Sequence, residues 1–303
     1  MLSVLIPVFN YDVTQLVNEL HKQLVVSGID FEIKIFDDGS KSNINKKSLE
    51  LNRLKNVQFK ELPKNVGLSN NRNYLASSSQ YDYLLFLDGD SLITNTNFIT
   101  NYLDNMSSNL DILYGGRIHP EFVKSKNQKL RWKYGRFIED KLAKKRSENT
   151  YKTLMFNNTL IKKECFNTIL FESSLTEYGH EDTLFAYQAY LHNLKVLHID
   201  NPVLHGDIDE NYVFISKTEK GIKNLLSIYN SQKIDVQFVK ILVYFKKLEK
   251  FKLKFLFAAL FTLSQRLMKS QLNSSNPSLF LFNLYKLCYM CFYDINKRKK
   301  TLA

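Results

Sequence analysis

Cysteine is scarce in this chain: Cys165, Cys288 and Cys291 are the three in 303 residues. That is too few for a disulfide framework and suits a reducing compartment. Long apolar runs are missing too. The longest charge-free apolar stretches near the C-terminus are about Phe255–Leu263 and Ser278–Tyr285, short of the roughly 18 to 20 residues that span a bilayer. Met1-Leu2-Ser3-Val4-Leu5-Ile6-Pro7 runs straight into a strand, with no charged segment or small-residue cleavage site, so a secretory signal is not expected. No G-x-G-x-x-G follows that strand, which disfavours a nicotinamide dehydrogenase. Pro7-Val8-Phe9-Asn10-Tyr11 is also not the Gly-rich basic loop that a sugar-nucleotide-forming nucleotidyltransferase needs there. Internal repeats are absent, as is any recognisable nucleic-acid-binding module, so nucleic acid is not an expected partner.

What the chain does have is a pair of apolar runs that end in acids. Tyr83-Leu84-Leu85-Phe86-Leu87 reads as a buried strand and closes in Asp88-Gly89-Asp90. About fifty residues earlier, Ile33-Lys34-Ile35-Phe36 closes in Asp37-Asp38-Gly39-Ser40. In an open α/β sheet, ligands bind beyond the carboxyl ends of the strands. Carboxylates repel a diphosphate, but they can hold a divalent cation that holds one. The pattern therefore points to a metal-assisted site for a nucleotide-linked donor.

The surrounding periodicities support that setting. Strands are expected at Leu2–Phe9, Phe31–Phe36, Val57–Glu61 and Tyr83–Leu87, with helices at Thr14–Val26, Ser40–Leu54 and Asn65–Ser79 between them. Such alternation predicts an α/β, mostly parallel sheet flanked by helices. A further strand is expected over Ile112–Ile118. Residues 121–152 hold 11 basic and 4 acidic residues with Trp132, Tyr134 and Phe137 among them, and read as a basic insertion. Leu154–Ile161, the acidic segment 177–193 and Lys195–Ile199 then return to the core.

Charge is unevenly placed. Residues 1–120 carry 11 basic against 13 acidic side chains, and residues 231–303 carry 14 against 3. The overall +12 thus belongs mainly to the last quarter. We expect a catalytic domain over 1–230 and a basic amphipathic helical region over 231–303. Phe238, Val239, Leu242, Val243 and Phe245 lie among Lys240, Lys246, Lys247, Lys250, Lys252 and Lys254, a composition suited to an anionic membrane surface. A helical subdomain with a solvated basic face remains the alternative. Cys288-Tyr289-Met290-Cys291 has no second Cys/His pair to make a zinc site and no thioredoxin-like context.

Taken in order, these elements resemble the family 2 glycosyltransferases with a GT-A fold, over roughly residues 1–210. The resemblance rests on Pro7-Val8-Phe9-Asn10, Asp37-Asp38-Gly39-Ser40, Asn65-Val66-Gly67-Leu68-Ser69 with Arg72-Asn73, Asp88-Gly89-Asp90, Gly179-His180-Glu181-Asp182 and His205. It implies a Rossmann-like sheet and an inverting transfer of sugar from a nucleotide-sugar, by resemblance a UDP-sugar, to a saccharide or lipid-linked acceptor in cell-surface glycan synthesis. It also implies Mn²⁺ or Mg²⁺ as cofactor and a peripheral place at the cytoplasmic face of the cell membrane.

Carried onto this sequence, the resemblance places Pro7 and Phe9 against the nucleobase, although Phe9 reads equally well as a core residue. Asp38 would accept a hydrogen bond from the base, or simply shape a turn. Gly67 would let the backbone approach the donor. Arg72 would meet base or phosphate oxygens, with a surface helix position as its alternative. Asp88 and Gly89 would contact the donor, Asp90 and His205 would hold the metal, and His198 is the rival ligand. Asp182 would be the general base with Glu181 beside it; the same pair also suits a helix N-terminus. His180 would contact acceptor or donor. No Gln-x-x-Arg-Trp follows the acidic pair, which favours transfer of one or a few sugars over polymerisation. The reading from another class is a non-catalytic, membrane-associated nucleotide- or glycan-binding protein on a degenerate GT-A frame.

Overall fold

Strand β1, Leu2–Val8, is buried at every position, as expected of a strand covered on both faces. In this computed structural model, which describes residues 1–302, β1 pairs in parallel with β2 (Phe31–Asp37) and with β4 (Tyr83–Leu87). β3 (Val57–Glu61) lies parallel on the far side of β2. β8 (Asn158–Lys162) runs antiparallel between β4 and β6 (Ile112–Tyr114), and β9 (Val196–His198) closes the far edge. The order is β3-β2-β1-β4-β8-β6-β9. Chain growth thus reverses at β1, and such a switch point leaves a crevice beyond the carboxyl ends of the strands on either side. The β1–β2 ladder runs to Val8↔Asp37 while the β1–β4 ladder stops at Leu5↔Phe86. Pro7, with no N–H to give a ladder, lies past that last β4 pair.

Helix Thr14–Ser27 buries Leu16, Val17, Leu20 and Leu24 in the cluster that holds Val4, Ile6, Ile33 and Leu85. Each such side chain contributes about 1.5–3 kcal/mol by leaving water. The helix ends at Gly28, whose φ of 68° is the left-handed conformation that stops a helix with little steric cost. The helix expected over Ser40–Leu54 is shorter: Ile44–Leu49, then a tighter turn at Glu50–Arg53.

The expected strand Ile112–Ile118 is two strands in two sheets. β6 stays in the large sheet, whereas β7 (Arg117–Ile118) joins a small one of order β5-β10-β7, with β5 at Ser91–Leu92 and β10 at Val203–His205. Gly115 and Gly116 make the break. A Cβ on Gly115 would lie 2.5 Å from Asn158 Nδ2, and Gly116 has φ of 92°. Only a residue without a Cβ fits at Gly115, and the left-handed φ of Gly116 carries the chain out of the large sheet.

The described residues form two compact units. The first, residues 1–120, 139–176 and 181–207, holds both sheets. The second takes in 121–138, 177–180 and Ile208 onward, and includes helices Asn211–Asn230, Lys240–Lys250, Lys254–Leu272 and Leu279–Leu302. Phe261, Tyr285, Cys288 and Cys291 are buried in it. Burial pushes the thiols of Cys288 and Cys291 up to about 11 and about 12, as for core cysteines. Leu242 and Phe245, expected at a membrane surface, are instead 0% and 1% exposed. They point inward at the three-residue spacing of one helix face and pack within their own unit. Among the described residues no helix is long and apolar enough to cross a membrane. Near its end the chain carries Lys297-Arg298-Lys299-Lys300, and the side chains of the last three of these lie outside the described residues.

Candidate active site

Buried Leu84–Leu87 drives β4 to its end, and the chain turns at once. The Asp88 carbonyl accepts the Ser91 N–H at 3.1 Å. A Cβ on Gly89 would meet Val13 and Val8 methyls at 3.2 and 3.3 Å, so glycine lets this turn lie on the end of β1. The turn leads into β5, which pairs His205 of β10 opposite Ser91. That pairing, between residues more than a hundred positions apart, sets His205 Nε2 3.0 Å from Asp90 Oδ2.

Arg72 organises the other side of the triplet. It projects from the buried face of helix Leu68–Ser78 and is 1% exposed. One terminal nitrogen donates to Asp182 Oδ1 at 2.6 Å, the other to Asp88 Oδ1 at 2.9 Å. Its guanidinium carbon lies 5.0 Å from the Phe171 ring centroid and 5.9 Å from that of Phe156. These rings keep water from the guanidinium, while the carboxylates it holds stay partly solvated. Burial alone would lower the Arg72 pKa, but Asp182, Asp88 and Glu181 together hold it above its ordinary value. Asp88 is pushed up, chiefly by desolvation and also by Asp90 and Asp182, with Arg72 opposing. Asp182 Oδ2 accepts the Phe156 N–H at 3.0 Å, while Glu181 is buried beside it at the start of helix Glu181–Leu191.

Arg72 was expected on the donor. Its fork is instead engaged beneath the carboxylates, because two acids brought to one buried place need a cation there. The Asp88, Asp90 and Asp182 side chains stay 28%, 32% and 23% exposed, so solvent and a ligand can reach them.

The other strand end differs. Asp38 is 4% exposed, and its two oxygens accept the Val66 and Gly67 N–H groups at 2.7 and 3.0 Å. Burial raises its pKa, and these two hydrogen bonds oppose the rise. Gly67 has φ of 85°, and its missing Cβ leaves room for Thr176, whose carbonyl oxygen would lie 2.9 Å from such an atom. The close approach seen at Gly67 is therefore to protein backbone. Asn65 and Asn73 also serve local structure: Asn65 accepts from Gly67 N–H, and Asn73 bonds both backbone groups of Phe171. Phe9 is 53% exposed and not a core residue. Pro7 is buried within β1, so its side chain is covered where a base contact was expected. His180 adopts a positive φ of 68°.

His198, the rival of His205, is elsewhere. It bonds the Thr150 carbonyl and Arg146, and burial pushes it down to about 4. Sequence reasoning missed the support behind His205. The His119 ring meets the His205 ring edge-on at 5.1 Å, His119 Nδ1 lies 2.6 Å from Asp140, and Arg117 pairs with Glu139 at 2.7 Å. The available signal was Arg117-Ile118-His119, polar residues alternating along a short strand after two glycines.

Among the described residues no group of three or more His, Cys, Asp or Glu side chains is arranged to hold a metal ion. Asp90 and His205 nevertheless suit one. The 3.0 Å between Asp90 Oδ2 and His205 Nε2 is a hydrogen-bond distance, and it brings one carboxylate and one imidazole to the same corner, where they would hold a cation together. The carboxylate suits Mn²⁺ or Mg²⁺ alike, and the imidazole beside it tilts the preference toward Mn²⁺.

Two solved structures share this architecture. The S. aureus TarS 1-349 structure in complex with UDP-GlcNAc aligns with a TM-score of 0.50 at 19% identity, over 72% of this chain and 64% of that one. The mannosyltransferase PcManGT from Pyrobaculum calidifontis, in complex with GDP-Man and Mn²⁺, gives 0.50 at 12% identity, over 76% and 64%. The chain thus spans less than two thirds of the length of either. No curated protein matches it. At these identities the likeness speaks for the fold: a mixed α/β GT-A architecture with a helical C-terminal region. The sequence itself goes further, because the Glycosyl transferase family 2 model matches residues 3–170, more than half of the chain. The ordered acids, the switch-point crevice and that match agree, and the chain belongs to glycosyl transferase family 2.

Proposed function

We propose that this protein transfers a sugar from a nucleotide-sugar, of the UDP class, to a hydroxyl of a saccharide or lipid-linked acceptor, with inversion at the anomeric carbon. The observation that carries the reading is the sharing of Arg72 by Asp88 and Asp182 while Asp90 faces His205. Solvent-reachable acids from β4 and from helix Glu181–Leu191 thereby meet at one switch point. Family membership and neighbours solved with UDP-GlcNAc and with GDP-Man and Mn²⁺ support a nucleotide-sugar donor, and of the two the first supports the UDP class.

In this scheme Asp182 takes the proton of the acceptor hydroxyl. The acceptor oxygen bonds to the anomeric carbon, the bond from that carbon to the diphosphate breaks, and the nucleoside diphosphate leaves with the electron pair. In-line displacement places the new bond on the opposite face, hence inversion. Arg72 and the Phe156 N–H hold Asp182 in one orientation, which keeps the base aligned. Exposed Phe9 offers a ring face to the base, and Asp88 meets the ribose. Asp90 and His205 would hold a divalent cation, which when bound neutralises diphosphate charge. The missing Gln-x-x-Arg-Trp fits addition of one or a few sugars, and cell-surface glycan is the acceptor class.

The test is a donor panel read by nucleotide release with Mn²⁺, with and without lipid extract, beside UDP titrations with and without Mn²⁺. Release from a UDP-sugar that rises with acceptor extract is expected. Metal-dependent UDP binding with no release from any donor would instead make this a binding protein on the same frame.

A further inference from the structure

Helix Lys254–Leu272 buries one face through Ala258, Phe261, Met268 and Leu272. The opposite face repeats the apolar pattern. Leu256, Leu260, Leu263 and Leu267 recur at steps of four, three and four, so they form one stripe, and all four are exposed. Leu263 and Leu267 reach 84% and 76% exposure. Leu253, three residues before Leu256, is exposed at the start of the stripe, and Phe251 and Phe255 beside it are exposed as well. A contiguous bare stripe of large aliphatic side chains marks an interaction surface.

The charge around it selects the occupant. No acidic residue occurs in the sequence between Glu249 and Asp294. Lys250 and Lys252 alternate with Phe251 and Leu253 in the turn before the helix, Arg266 lies beside the stripe, and all three cations are exposed. A second copy of this chain would bring the same positive charge against it, which opposes association. An anionic bilayer surface offers headgroups to the cations and an apolar boundary to the leucines. The helix is two-faced over its 19 residues and not apolar enough to span, so it would lie in the plane of the interface.

We propose that helix Lys254–Leu272 and the Lys250–Leu253 turn form a seat for an anionic lipid bilayer surface. The seat moves from the Lys240–Lys250 stretch, whose Leu242 and Phe245 already have protein partners, to the helix that follows.

The test is co-sedimentation of the full chain with vesicles of phosphatidylcholine alone or mixed with phosphatidylglycerol. Binding to the mixed vesicles, weakened by added salt, is expected, with little binding to the neutral ones. The double variant Leu263→Ser, Leu267→Ser should lower partitioning by at least about tenfold, and Lys252→Gln by about fivefold. Both change exposed side chains, and a matched thermal melt checks that the fold is kept. Equal binding to both vesicle types, binding to neither, or a folded double variant that binds like the parent overturns the seat. So does a dimer in sedimentation that the double variant dissociates while vesicles make no difference.

Discussion

β2 and β4 end alike in sequence and unlike in structure. Each is an apolar run closed by two acids within three residues, then a serine. At the end of β2, Asp37 and Asp38 are 0% and 4% exposed. Asp37 accepts the Ser40 N–H and the Asn45 amide, and Asp38 accepts two backbone amides. At the end of β4, Asp88 and Asp90 stay partly exposed and face Arg72 and His205. A carboxylate held by backbone amides shapes a loop, because those donors have no other place to go. A carboxylate opposed by a side-chain cation or imidazole, and reached by solvent, can change partners when a ligand arrives. The difference lies in the donors and not in the acids.

If that contrast is right, the largest effect comes from β4. Asp90→Ala should cut transfer by at least about 10⁴-fold with a melting temperature close to the parent's, since Asp90 is partly solvated. Near-normal turnover in the purified variant would erase the distinction between the two strand ends. Asp182→Asn should follow, with a fall of about 10³-fold in kcat and donor affinity retained by titration. Unchanged transfer would exclude Asp182 as the base.

Arg72→Lys tests what holds the β4 corner. An ammonium cannot present two parallel donors to two carboxylates, so one of Asp88 and Asp182 loses its partner. Allowing for the partial exposure of both acids, a loss of about 2–3 kcal/mol in urea unfolding is expected. An unchanged midpoint would mean that the corner is held by packing on Phe156 and Phe171 alone.

How much of this could be read from the sequence follows from range. β1, β2 and β4 stand where apolar runs place them, since burial on both faces needs no distant information, and the edge strand β3 shows itself by alternation. The places of Asp88, Asp90 and Asp182 were legible because a strand end and a helix start are local boundaries, whereas the roles expected of them and of His205 came from the family order. Arg72 was misplaced because its two partners lie 16 and 110 residues away. The need for glycine at 115 depends on Asn158, Asn201 and Tyr102, all distant in sequence. His119 and Asp140 were missed for a related reason: the chain between them passes through the second compact unit, so no local pattern joins them.

The smallest effect belongs to β2. In Asp38→Asn the amide oxygen can still accept one backbone N–H, while the NH₂ group confronts the other, so about 1–2 kcal/mol of stability is lost. Because burial raises the Asp38 pKa, the folded state holds its proton more tightly than the unfolded chain. The parent therefore loses stability as pH rises from the ordinary carboxylate range through the raised value, and the uncharged asparagine does not. The deficit of the variant should thus be smaller at neutral pH than at acid pH, which paired urea titrations would measure. Each Asp38 oxygen keeps a second lone pair, enough to take a base N–H as well as the loop. If it does, the variant's KM for donor rises roughly tenfold with kcat little changed. An unmoved KM assigns Asp38 wholly to the loop and makes the contrast between β2 and β4 complete.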